Sequence, residues 1–177
     1  CFCSYAEATE IDHFLPKSKF SEFSIAPINL VPVCNRCNNE KKAYSSQRDE
    51  EFFIHPYYET CTEDLLWLEA SVEFKSNYPI VSYFIRDAIS SPLKERLKFQ
   101  FDKLKLGERY RLQTGREFSG RKYRWTKAKD DGGEVAVKAD LQEEYDSEKD
   151  NNKNSWKSAL YEALLLSEQF CEMKWKI

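Results

Sequence analysis

Ile11-Asp12-His13-Phe14-Leu15-Pro16-Lys17 and Asn29-Leu30-Val31-Pro32-Val33-Cys34-Asn35-Arg36-Cys37-Asn38-Asn39-Glu40-Lys41 are the two stretches on which the fold of the first quarter of the chain turns. Ahead of them stands Cys1-Phe2-Cys3. The approach to Asp12-His13 alternates loosely, as a short strand does. Residues 14–28 hold Pro16, Pro27 and several Ser and Lys, the composition of a loop. Asn29 to Cys34 reads as a second strand, confined to an edge or to one-sided pairing by Pro32. From Arg36 to about Gln47 there is no Gly or Pro, so a helix is predicted there. The local order is strand, loop, strand, helix.

Two of these stretches carry cysteine pairs. The chain has six cysteines in 177 residues, at 1, 3, 34, 37, 61 and 171, and four of them form two clusters 31 residues apart. That is too sparse for a disulfide scaffold, and it favours a metal clip in a reducing, cytoplasmic setting. Cys34-x-x-Cys37 has the spacing of a zinc knuckle, and a closed zinc site takes four N or S ligands. Cys3 is the expected third ligand. The fourth is Cys1, or a cysteine lying before it. The chain starts on Cys rather than Met, which fits a clipped N-terminus. Cys61 and Cys171 are expected to be buried thiols.

Working outward, the chain is long enough for one good core or a small motif with an extension. Charged residues make up 32% and hydrophobic residues 41%, which excludes disordered and fibrous classes. No apolar run approaches the roughly 20 residues of a membrane helix. The net charge of −3 argues against an autonomous nucleic-acid coat. That average hides two blocks: residues 94–129 hold 13 Lys/Arg against 4 Asp/Glu, and residues 130–152 hold 2 against 9. They read either as a solvated helix face followed by an acidic loop or as a phosphate-facing surface.

Beyond the first 60 residues, Leu68–Lys75 and Pro79–Arg86 alternate around Ser76-Asn77 and predict a β-hairpin. Leu93, Leu97, Phe101 and Leu104 recur at helical spacing after Pro92. Residues 108–129 read as a helix or an irregular arm, and the start of 130–152, with Gly132-Gly133, as loop. Asn154-Ser155 caps a last helix whose apolar stripe is Trp156, Leu160, Ala163, Leu164 and Phe170.

The first stretches also hold the groups that phosphodiester hydrolysis needs: a base for water and positive charge at the phosphate. His13, with an ordinary pKa near about 6.5, offers a neutral imidazole. Asp12 can give a carboxylate and Asn38 an amide oxygen to a hard cation, Mg²⁺ or Mn²⁺. Singly, such residues are more often surface pairs and turn formers. In this register, between two cysteine clusters, they resemble the HNH endonuclease motif, also called ββα-metal. There an Asp-His pair ends one strand, an Asn opens the next, and a His or Asn lies early on the following helix. The resemblance implies that Asn29 orients His13 through a hydrogen bond and links the two strands. His55 and Lys17, Lys41 and Lys42 are accessory candidates for phosphate or metal contact, against the ordinary reading of a packed histidine and solvated lysines.

Phe53-Ile54-His55-Pro56-Tyr57-Tyr58 and the segment from Asn154-Ser155-Trp156 to Phe170-Cys171 resemble, less specifically, the extension of HNH proteins of the Septu and retron-associated PtuB type. Those are encoded beside an AAA- or ABC-type ATPase in bacterial antiphage systems. The expected protein is α+β, with a zinc-clipped ββα-metal motif at 1–60 and a mainly helical extension at 61–177 for partner and nucleic-acid binding. The expected activity is metal-dependent cleavage of DNA within a defence complex. Cleavage of RNA such as tRNA by a toxin effector is one alternative, and a zinc-stabilised binding module with a vestigial site is another. The basic and acidic blocks and the Trp156/Leu160/Phe170 stripe are expected to dock a partner.

Overall fold

The computed structural model describes residues 2–59 and 64–176. The chain divides into two units. One comprises residues 1–65 with Asp87–Leu106, and the other Leu66–Arg86 with Gly107–Ile177.

In the first unit, strand β1 (Glu10–His13) pairs antiparallel with β2 (Leu30–Val33), setting Asp12 opposite Val31 and His13 opposite Leu30. The β-branched Val31 and Val33 are fully buried, whereas Pro32, opposite Ile11, is exposed on this two-stranded edge. Helix α1 (Asn35–Lys41) follows directly, its first turn closed by the Cys34 sulfur, which accepts the Cys37 N–H. It is shorter than the helix predicted to about Gln47. Lys42 stops it with φ 53° and ψ −154°, a conformation that only glycine adopts without strain. Lys42→Gly is therefore expected to stabilise the fold by about 1 kcal/mol, read as a higher urea midpoint. Helix α2 (Leu93–Lys103) buries Leu97 and Phe101 and ties down the segment after α1. The Gln100 side-chain oxygen accepts the Ile54 N–H, and Arg96 donates to the Phe52 and Phe53 carbonyls while pairing with Glu59.

In the second unit, β3 (Leu68–Lys75) and β4 (Tyr78–Ile85) form the expected hairpin. Ser76 (φ 51°) and Asn77 (φ 68°) both take the left-handed conformation, the mirror-image turn that matches strand twist. Helix α3 (Leu106–Asn152) is interrupted at Gly133 (φ 64°, ψ −151°), which separates arms 106–132 and 134–152. The loop expected at the start of 130–152 is thus helical apart from one residue. The reason is pairing between the arms: Arg121 makes two 2.6 Å contacts with the Glu144 carboxylate, and Arg124 meets Asp140 and Glu144. Trp125, Val137 and Leu141 are fully buried in this unit. An L-residue at Gly133 would be strained, so Gly133→Ala is expected to cost about 1–3 kcal/mol in denaturant unfolding.

The last helix resolves into two, α4 (Trp156–Leu165) and α5 (Glu168–Cys171). Ser155 caps α4 by accepting the Ser158 N–H, and Asn154 accepts from the Trp67 and Leu68 N–H groups at the start of β3. Trp156, Leu160 and Phe170 are buried, so the stripe expected to dock a partner is core of this unit. Within the charged blocks, Arg121 and Arg124 of the basic stretch pair with Asp140, Glu143 and Glu144 of the acidic one. Cys171 is buried as expected, while Cys61 lies outside the described residues. No helix among the described residues is long and apolar enough to cross a membrane.

Candidate active site and metal centre

Because side chains alternate along a strand, Glu10 and Asp12 leave one side of β1, and Ile11 and His13 the other. Asp12 meets α1: its Oδ2 lies 2.7 Å from Lys41 Nζ, with side-chain exposures of 14% and 1%. A lysine this buried needs compensation, and Lys41 also donates to the His13 carbonyl at 2.8 Å. Lys41 is thus no solvated phosphate contact but the counter-ion within the strand–helix unit. Lys17 and Lys42 are exposed.

Asn38 faces the same side of β1, through a residue that sequence reasoning passed over. Glu10 accepts from the Asn38 amide at 2.6 Å and from the Asn35 amide at 2.7 Å. These two donors hold the half-buried Glu10 carboxyl below its ordinary range. A carboxylate can only accept here, which turns the NH₂ of Asn38 toward Glu10 and leaves its oxygen unengaged. The signal was available in the sequence, since Glu10 stands two residues before Asp12 on a strand. Asp12 and Asn38 carry oxygens of the type a hard divalent cation takes, and both lie on the Glu10 side of β1.

His13 meets a different element. Its Nε2 lies 2.9 Å from the Ser24 carbonyl oxygen, an acceptor only, so this nitrogen carries the proton and the lone pair of the neutral ring is at Nδ1. Asn29 is 4% exposed, and its amide is fully used. It accepts the Leu15 N–H at 2.6 Å and donates to the Leu15 and Phe23 carbonyls at 3.1 Å each. The direct Asn29–His13 bond implied by the resemblance is not made. Asn29 instead staples the loop that presents Ser24 to His13, because its amide lies within reach of backbone groups flanking that loop.

His55 is wedged rather than presented. Its ring sits 4.3 Å from the Phe14 ring and 4.7 Å from Tyr58, its Nδ1 accepts the Tyr57 N–H, and it hydrogen-bonds the Ile28 backbone. Burial pushes its pKa below the ordinary histidine value.

Behind the strands, Cys3, Cys34 and Cys37 are all buried, with their sulfurs within 4.8 Å of one another. Cys3 and Cys34 Sγ are 3.8 Å apart, which matches the edge of about 3.8 Å that tetrahedral Zn–S bonds of about 2.3 Å would give. The donor set therefore fits zinc. Cys1, the fourth expected ligand, lies outside the described residues.

Comparison with known proteins bears on the same segment. Residues 3–46 match the model of the HNH endonuclease family. Over 96% of its length the chain is 31% identical to protein ea31 of Escherichia phage lambda, covering 62% of that protein. Over 34% of its length it is 33% identical to the Septu protein PtuB of Bacillus thuringiensis, covering 24% of it. The chain thus spans less than two thirds of either relative. No solved structure matches it significantly.

Proposed function

We propose that this protein is a metal-dependent HNH endonuclease that hydrolyses phosphodiester bonds in DNA. The observation that carries the reading is the strand–strand–helix unit on which Asp12, His13 and Asn38 stand, within a segment matching the HNH endonuclease family. In it, β1, β2 and α1 form a ββα-metal site clipped by one zinc on Cys3, Cys34, Cys37 and a fourth cysteine, Cys1 or one preceding it.

The roles follow from the contacts. His13, its Nε2–H engaged by Ser24, takes a proton from the attacking water at Nδ1. Asn29 acts one step removed, as a positioning residue, by fixing the loop that holds that tautomer. Asp12 and the Asn38 oxygen would hold Mg²⁺ or Mn²⁺, with Glu10 setting the amide's orientation. The ion supplies positive charge to the phosphate and leaving oxygen. Lys41 keeps the Asp12 carboxylate in place between strand and helix.

The relatives extend the proposal. The match to a Septu protein supports a role as effector of an antiphage complex, held by an ATPase partner in the cytoplasm. The defence role rests on that match, since the phage relative, which covers far more of the chain, carries no functional name. With the Trp156/Leu160/Phe170 stripe buried within the second unit, the partner rests on the resemblance as well.

The substrate is tested by incubating the purified chain, alone and with its genomic neighbours, with plasmid, single-stranded DNA and total tRNA in Mg²⁺. Plasmid is expected to be cut, more strongly in complex. Cleavage of tRNA with intact plasmid would transfer the reading to an RNA-cleaving toxin.

A further inference from the structure

Five cations of the basic block are ion-paired: Arg96 with Glu59, Arg121 with Glu117 and Glu144, Arg124 with Asp140 and Glu144, Lys94 with Asp87, and Lys105 with Glu40. Of the lysines of the second unit that form no ion pair among the described residues, three line one groove. Lys122 and Lys129 stand with Thr126 on one face of the first arm of α3, and Lys176 comes from the chain end. The groove measures about 520 Å³, and Tyr78, Met173 and Trp175 add its less polar walls.

The two rings differ in what they can do. Trp175 is fixed in place, stacked on Phe170 at 4.5 Å with its indole N–H donated to the Phe170 carbonyl. Tyr78, at the turn end of β4, is 51% exposed, so its ring is open to a ligand in the groove. The Lys176 N–H donates to the Asn77 carbonyl at 2.7 Å, which ties the chain end to the hairpin turn and closes that side. Asp130 also lines the groove, leaving it a net charge of +2.

Ring faces interleaved with unpaired lysines suit a nucleic-acid strand whose bases are out of the stack. The lysines meet the phosphates, and the rings meet a base. A membrane surface would call for an exposed apolar face, and an acidic peptide would leave the rings unused. The geometry points to this groove, formed wholly within the second unit, as a binding site for a single-stranded segment of nucleic acid, additional to the HNH site. The inference rests on the nuclease reading for the class of ligand.

The experiment is fluorescence anisotropy of labelled 20-nucleotide single-stranded DNA and RNA and of a 20-base-pair duplex, titrated with the full chain without divalent metal at several salt concentrations. The triple variant Lys122→Gln, Lys129→Gln, Lys176→Gln is expected to bind at least about tenfold more weakly, and its log K against log salt slope should fall by about 2. Tyr78→Ala should weaken single-strand binding by roughly five- to a hundredfold and duplex binding little. DNA and RNA arms that behave alike place recognition on phosphate and ring stacking, and a preference for one names the strand. Absence of single-strand binding by the wild type, or an unchanged slope in the triple variant, would overturn the site, as would equal affinity for polyglutamate that Tyr78→Ala leaves untouched. Hydrolysis of bis(p-nitrophenyl) phosphate with Mn²⁺, a substrate with no further nucleotide for the groove, separates the two readings. It should persist in the triple variant, and its absence from the wild type would count against the nuclease while leaving the binding result to stand.

Discussion

His13→Ala is expected to reduce phosphodiester cleavage by about 10²–10⁴-fold, the range a positioned general base supplies, with zinc content and thermal unfolding unchanged. His13 ends β1, where its ring donates to a loop carbonyl instead of packing in the core, so truncation opens no cavity. The second histidine cannot substitute, because the His55 ring is wedged between Phe14 and Tyr58 with Nδ1 already accepting a backbone N–H. The measurement is plasmid nicking in Mg²⁺ between pH 6 and 9. Near wild-type turnover across that range would remove His13 from the base role. Asn29→Ala should separate positioning from catalysis. The residue is buried with three backbone partners, so its loss should release the 14–28 loop and lower both stability and rate, which His13→Ala should not do.

Cys34→Ser is expected to be the more damaging change for the fold. The first unit has a small core around two four-residue strands, and its three buried thiols are clustered where a hydrophobic core would otherwise have to be. Structural zinc contributes about 10–16 kcal/mol of binding free energy in small domains at neutral pH, more than such a unit's own stability. Cys34 has a second role, since its sulfur accepts the Cys37 N–H that opens α1, the helix bearing Asn38 and Lys41. Elemental analysis of the wild type should give about one zinc per chain. The variant should be insoluble or quickly digested by protease within the first unit. A soluble, zinc-free wild type with an intact first unit would refute the clip.

Short-range patterns in the sequence were legible where local chemistry decides the structure. Ser76-Asn77 between two alternating runs gives the hairpin, because both residues tolerate positive φ. The spacing of Cys3 from Cys34-x-x-Cys37 gives three sulfurs in one cluster. Long-range pairing was not legible. An acidic stretch containing Gly-Gly reads as loop, yet it is helix because Arg121 and Arg124 face it across the bend at Gly133. Lys41 reads as one more exposed lysine, since nothing in its neighbourhood in sequence announces that Asp12, 29 positions earlier, will lie 2.7 Å away. Asn29 is legible as a polar residue at a strand start, but the partners of its amide depend on how residues 14–28 fold back.

The most direct test of the account is plasmid cleavage by the wild-type chain and Asp12→Asn over a Mg²⁺ titration, with EDTA as the control. The wild type is predicted to nick plasmid only with divalent metal, and Asp12→Asn to need far more Mg²⁺ while retaining zinc. Cleavage that survives EDTA, or that Asp12→Asn leaves with an unchanged metal requirement, would contradict it.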